Sequence, residues 1–323
     1  LRKPSCSRRR RSGSPGGSAG FSGRDRHRIA CIRPRFSISQ ITTLASTFAA
    51  DVRAYAAAGV DGIGVWEMKL PNGADAEALE QLEASGLGSA AAIPAVPSIL
   101  PLPLMEGPEE PQQRIEAICA SLHRLAPFKP SSVVCLTGPG DGRDTVVEGL
   151  RTIADEAAGL GLRIGLEPVN RVGGEHWTMI SSLPEAVELL EDADRPALGI
   201  QFDSWHVWNT PEIVEDIERY ADLFVGVHIA DWGSATRGWC DRVLPGDGVS
   251  DLPQILGALD RAGWDGYYDL EIFSDNGTFG NAWPDSLWDV STDELVRRGK
   301  DAFERAWEAR IRTPLDRVSP GAV

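Results

Sequence analysis

From residue 35 onward the chain repeats one pattern: a short β-branched or apolar run, then a longer segment whose apolar residues recur at helical spacing. The strand-like runs lie at 36–40, 62–67, 88–93, 132–137, 163–167, 197–203, 223–229 and 266–273. Helical segments follow near 47–58, 75–85, 109–125, 143–159, 183–191, 211–221, 251–262 and 292–311. Strands that alternate with helices predict a parallel sheet with helices outside it. Eight such units in the span 35–312 predict one (β/α)8 TIM barrel, whose usual size is about 250 residues. A doubly wound sheet is the rival. It normally has fewer units and often a glycine-rich phosphate turn after the first strand, where this chain has Gln40-Ile41-Thr42-Thr43. Ser182 with Glu185 and Ser291 with Glu294 have capping-box spacing, and Thr210-Pro211 puts a cap before a first-turn proline.

Charge narrows the partners. Lys and Arg number 32 and Asp and Glu 47, for a formal charge of −15. Residues 1–35 hold 11 basic residues and one acid, Asp25; this local +10 leaves −25 on the remainder. So acidic a body repels phosphate backbones, which excludes a general nucleic-acid partner. No apolar run reaches the ~20 residues that span a bilayer, so no membrane role is expected. A hydrophobic content of 42% supports a sizeable core. Residues 1–34 are expected to be a basic tail, disordered at least through 28, and residues 313–323 a second tail. The run Ser7-Arg8-Arg9-Arg10-Arg11 resembles the start of a twin-arginine signal, but residues 13–23 supply no apolar stretch after it. An organellar leader, or a start that is not the natural one, stays open; Leu1 comes first and the first methionine is Met68. Cys6, Cys31, Cys119, Cys135 and Cys240 are odd in number and lack CxxC spacing, as expected for a reduced, cytoplasmic chain without disulfides.

In a barrel of this kind chemistry sits at the C-terminal ends of the strands. The fifth run ends Leu166-Glu167-Pro168, and the sixth ends Phe202-Asp203-Ser204-Trp205-His206. The seventh carries His228 near its end, and the eighth carries Glu271 at the same level. Four successive strands thus bring Glu167, Asp203, His228 and Glu271 to one rim. Three carboxylates at one site repel one another unless a cation neutralises them. An oxygen-rich set with one imidazole and no thiolate predicts one divalent ion, with Mn2+ the leading expectation and Mg2+, Co2+ or Zn2+ admissible. Taken singly, a strand-end Glu is an ordinary rim ion pair and a strand His an ordinary core residue. Their coincidence on adjacent strands is what points to a metal.

At these residues the chain resembles the xylose-isomerase-like barrels of the sugar isomerase and epimerase superfamily, and most closely their inosose isomerase and ketose 3-epimerase branches. The likeness spans about 36–312 and is carried by Leu166-Glu167-Pro168, Phe202-Asp203-Ser204-Trp205-His206, Val227-His228-Ile229-Ala230-Asp231, Asp241-Arg242-Val243-Leu244-Pro245-Gly246-Asp247-Gly248 and Gly263-Trp264-Asp265-Gly266-Tyr267-Tyr268-Asp269-Leu270-Glu271. The resemblance implies that Glu167, Asp203, His228 and Glu271 bind the metal and that His206 and Arg242 contact substrate oxygens. It also implies a small sugar or keto-sugar substrate, turned over through an enediolate by isomerisation or epimerisation. Glu167 and Glu271, on opposite sides of the sugar, would then be the acid–base pair. One position departs from the epimerase branch, which commonly has a further Glu six residues after the first ligand; Gly173 stands there. Glu175 and His176 are the candidates to replace it at the substrate. Glu67, at the end of the second run, is a candidate to bind a hydroxyl. Trp66, Trp177, Trp205, Trp208, Trp232 and Trp239 follow strand-like runs, where indoles either pack loops or stack on a sugar face or aryl group.

Three other functions were weighed against this one. A lyase of the inosose dehydratase or C-glycoside deglycosidase type shares the ligands, and strand ends do not separate it from an isomerase. An abasic-site endonuclease on a related barrel needs three zinc ions and early histidines. Here only His27 and His123 precede His176, and Asp241-Arg242-Val243 stands where that pattern has Asp-x-His. A binding protein without catalysis has no need of all four ligands. Sequence leaves the substrate and the oligomeric state open, a homo-oligomer included.

Overall fold

The computed structural model describes residues 33–103, 107–171 and 177–310. The expectations for the two tails, and for Gly173, Glu175 and His176, fall outside the described residues. Eight parallel strands close into a barrel: Arg35–Ser39, Gly62–Trp66, Gly88–Ile93, Ser132–Cys135, Ile164–Leu166, Leu198–Asp203, Phe224–Ile229 and Tyr267–Leu270. They follow chain order around the ring, and the eighth pairs with the first, Ser37 beside Asp269. One outer helix follows each strand: Phe48–Ala57, Asp75–Ser85, Pro111–Leu125, Arg143–Gly159, Leu183–Ala193, Ile213–Tyr220, Leu252–Arg261 and Thr292–Ala309.

Their apolar stripes bury against the outward side chains of the strands. Leu150 and Ile153 of one helix and Leu256 and Leu259 of another join Val133, Ile164, Val227 and Leu270 in one continuous core. Local chemistry marks the ends. Ser182 Oγ accepts from the Glu185 amide at 3.4 Å, and Gly86, at φ 76°, closes the helix Asp75–Ser85 in the left-handed conformation that glycine tolerates best.

The expected boundaries shift in several places. Gln40 and Glu67 begin 3-10 turns rather than ending strands. The Thr210-Pro211 cap is not used, because the helix begins at Ile213 behind Glu212 at φ 58°. Ser291 makes no side-chain cap; Glu294 bonds to Arg297 instead. Two features had no counterpart in the expectations: a helical turn, Ser204–Val207, directly after the sixth strand, and a two-stranded ribbon pairing Asp231–Trp232 with Arg242–Val243.

The interior is plugged by polar side chains seated over glycines. Asp269 Oδ1 accepts from Ser37 Oγ at 2.8 Å, and a Cβ on Gly64 would fall 2.3 Å from Asp269 Oδ2 and 2.9 Å from the Ser39 backbone. Gly64→Ala is accordingly expected to destabilise the barrel by about 1–3 kcal/mol, the usual cost of overpacking. Chemical denaturation should show the midpoint falling at unchanged slope; an unchanged midpoint would mean that this layer is loosely packed.

Candidate metal centre and active site

Glu167 follows the fifth strand directly, Asp203 ends the sixth, His228 lies in the seventh and Glu271 follows the eighth. Strand register sets their heights: Asp203 is level with His228, and His228 is level with Asp269. All four ligand-type side chains are buried, and one donor atom from each falls within 4.8 Å of the others. Two ligands facing across an ion at about 2.0–2.6 Å stand about 4–5 Å apart, so the group has the span of a single-ion site. Carboxylate oxygens with one imidazole nitrogen form a hard donor set, which suits Mn2+, Mg2+ or Co2+ and admits Zn2+.

His228 stands at the centre. Its Nδ1 lies 3.2 Å from Glu167 Oε1 and 3.4 Å from Glu271 Oε2. Its Nε2 points the other way, 3.8 Å from Asp269 Oδ2, and both of those buried atoms lack a hydrogen-bond partner. Burial opposes charge on His228, but Glu271, Glu167 and Asp269 outweigh it and raise the imidazole to about 10. Burial pushes Glu167 up to about 7, against the pull of His228, and pushes Asp269 up to about 7 against His228 and Ser37. Asp203 goes the other way: burial raises it, yet Arg242, His206 and His228 together hold it at about 2.

Arg242 sits on the ribbon after the seventh strand. Its Nη1 donates to Asp203 Oδ2 at 2.8 Å and lies 3.2 Å from Glu271 Oε2. Its guanidinium stacks over Trp205 and Phe273 at 5.0 and 4.9 Å from their centroids. His206 is carried by the turn Ser204–Val207. Its Nδ1 accepts from the Asn170 amide at 3.1 Å, and its Nε2 lies 3.2 Å from Arg242 Nη2. Burial and two neighbouring cations, against Asp203, bring His206 down to about 3, so it is a neutral imidazole at pH 7. The Asn170 amide and the donor-only guanidinium of Arg242 thus compete for the single acceptor nitrogen of the neutral ring.

A cavity of about 400 Å3 opens over this floor, lined by Glu167, Asn170, His206, His228, Arg242 and Glu271 together with a larger apolar set. Trp66 lines it, with Nε1 donating to Ser39 Oγ at 2.8 Å, as do Trp177, Trp205 and Trp239. Trp208 and Trp232 pack against each other behind Trp205. Glu67 is not brought to the cavity. Because the second strand stops at Trp66, Glu67 turns aside, accepts from the Ala95 amide at 2.8 Å and meets Arg124 at 3.4 Å. It ties loops together instead of binding a hydroxyl. Sequence reading passed over Asp269, Asn170, Phe273 and Phe279. Of these only Asp269 carried a signal: two positions before Glu271 on a strand, it shares that side chain's face.

The family model for xylose isomerase-like TIM barrels matches residues 52–303. A ketose 3-epimerase of Arthrobacter globiformis is 30% identical over 145 residues, covering 42% of this chain and 46% of its own. A 3-dehydroshikimate dehydratase of Pseudomonas putida is 29% identical over 141 residues, 40% of this chain and 21% of its own. An inosose isomerase of Halalkalibacterium halodurans is 24% identical over 157 residues, 47% of this chain and 50% of its own. The chain thus spans half the length, or less, of these curated relatives. Among solved structures, a zinc-containing IolI protein shares the fold with a TM-score of 0.69 at 20% identity, over 84% of this chain and 98% of its own. The family match runs through the strands and rim that bear all four ligand-type side chains, and the chain therefore belongs to the xylose isomerase-like TIM barrels.

Proposed function

We propose that the protein is a divalent-metal-dependent isomerase or epimerase of a sugar or keto-sugar, moving a proton at a carbon beside a ketone. One observation carries this reading: two buried glutamates, Glu167 and Glu271, flank His228 in a four-residue cluster on the floor of a cavity. A bound divalent ion supplies a Lewis acid against negative charge that builds on the substrate's oxygens. The remaining work falls to the chain's own side chains. Glu167, buried at the end of the fifth strand, takes and gives the proton on one face of the substrate. Glu271 enters from the eighth strand, steadied by Ser39 Oγ at 3.4 Å, and serves the opposite face of the substrate. His206 and the guanidinium of Arg242 orient substrate oxygens. The apolar wall keeps water from the proton in transit. A reduced, cytoplasmic setting is part of the proposal, and the free Cys119, Cys135 and Cys240 support it.

The likeness to 3-dehydroshikimate dehydratases favours one second reading, a lyase that removes the same proton and then expels a neighbouring group. Both readings meet one experiment. The Mn2+-loaded protein is incubated in D2O with ketoses, inososes and 3-keto-glycosides and followed by NMR. Deuterium entering an intact carbon skeleton supports the isomerase; loss of water or aglycone supports the lyase. Absence of exchange on every compound sinks both.

A further inference from the structure

The cavity has two unlike halves. Among the described residues, every ionisable lining side chain comes from the fifth to eighth strands and the segments after them. The first four strands and their loops contribute apolar groups, among them Trp66, Met68, Ile93 and Leu136. Among the described lining residues the one side-chain donor on that side, the Trp66 indole, is already spent on Ser39. A simple ketose carries a hydroxyl on every carbon but the carbonyl. With its hydroxy-ketone end at the acidic floor, its remaining hydroxyls would meet a wall that offers them no side-chain partner, and buried hydroxyls without partners are costly.

The mouth continues the apolar half. Trp239 stacks near Trp177 at 5.0 Å and near Phe279 at 5.2 Å between centroids. Phe279, 37% exposed, and Met68, 61% exposed, both line this cavity. Phe279 is also firmly held. The buried Asp275 carboxylate accepts from the amides of Gly277, Phe279 and Asn281 at 3.0, 2.9 and 2.7 Å, which fixes the loop that carries it.

We propose that the substrate is a hydroxy-ketone bearing an aromatic substituent, its oxygenated head on the acidic floor and its ring between the wall of the first four strands and Phe279. The placement of the head rests on the proton-transfer reading; the aromatic part rests on the cavity alone. A volume of about 400 Å3 lies in the range that encloses such a two-part molecule. Offset or edge-on stacking against the flanking indoles suits a planar ring.

The test uses the full chain loaded with Mn2+ and two probes, the phenyl and methyl glycosides of 3-keto-glucose. Binding is followed by calorimetry and exchange by NMR in D2O. Burying the ring is expected to make the phenyl compound bind about tenfold tighter or more. Phe279→Ala, at a half-exposed position that the fold tolerates, is expected to shrink that ratio. Equal affinity for the two probes, or binding of neither, overturns the proposal; equal affinity with exchange on both leaves the proton-transfer reading standing. Tighter phenyl binding with no exchange does the reverse, upholding the aromatic site and removing the reaction proposed for it.

Discussion

Glu271→Gln is expected to cut turnover about 10^2–10^4-fold while leaving the barrel folded, and Glu167→Gln to do the same, since an amide cannot carry the proton. The two losses should differ in kind. In the metal-free protein burial raises Glu167 to about 7, whereas a bound ion would favour its charged form. Glu271 stands 3.4 Å from the same Nδ1 and, in the proposed reaction, would serve the other face of the substrate. If each glutamate serves one face, the variants will differ in which substrate position exchanges with D2O. That asymmetry is the measurement to make, by NMR on each variant, with circular dichroism to verify the fold. Full turnover by either variant with metal bound would exclude that glutamate from the acid–base pair.

Removing the divalent ion with a chelator is expected to abolish turnover, and one equivalent of Mn2+ should restore it. The cluster needs positive charge: Glu167, Asp203 and Glu271 face one another in a buried site, and among the described residues His228 and Arg242 are the cations that meet them directly. His228, raised to about 10, holds a proton on the side where an ion would take Nδ1. Metal and proton therefore compete. As pH falls below about 10 the proton gains, so affinity for the ion should weaken on acidification and strengthen as pH rises, by up to about tenfold per pH unit for each proton displaced. Calorimetric titrations in buffers of different ionisation enthalpy should reveal protons released on binding. Elemental analysis that finds no stoichiometric uptake of Mn2+, Mg2+, Co2+ or Zn2+ would remove the proposed chemistry and leave the barrel in place.

Much of the architecture was legible because its cause is local. Val133, Ile164 and Val227 lie in short β-branched runs, and the apolar stripes of the helices recur at a fixed spacing; both patterns are properties of neighbouring residues. The four ligand positions were legible for the same reason, since each stands at or beside the end of its own run. Glu67 shows where the method fails. It ended a run exactly as Glu167 does, but the second strand stops one residue earlier, and a 3-10 turn swings its carboxylate to Ala95 and Arg124. Ser291 failed likewise, with its spacing correct and its partner Glu294 drawn to Arg297.

By itself the sequence determined the alternation of strand and helix and the barrel that follows from it. Closure of the barrel decided the rest. Only when the eighth strand pairs with the first is Asp269 bonded to Ser37 and seated over Gly64. Only the shared rim joins Trp66, from early in the chain, to Phe273 and Phe279 from its end in one cavity. Such contacts join residues more than two hundred positions apart. Their geometry depends on strand register and loop path, which no local spacing encodes.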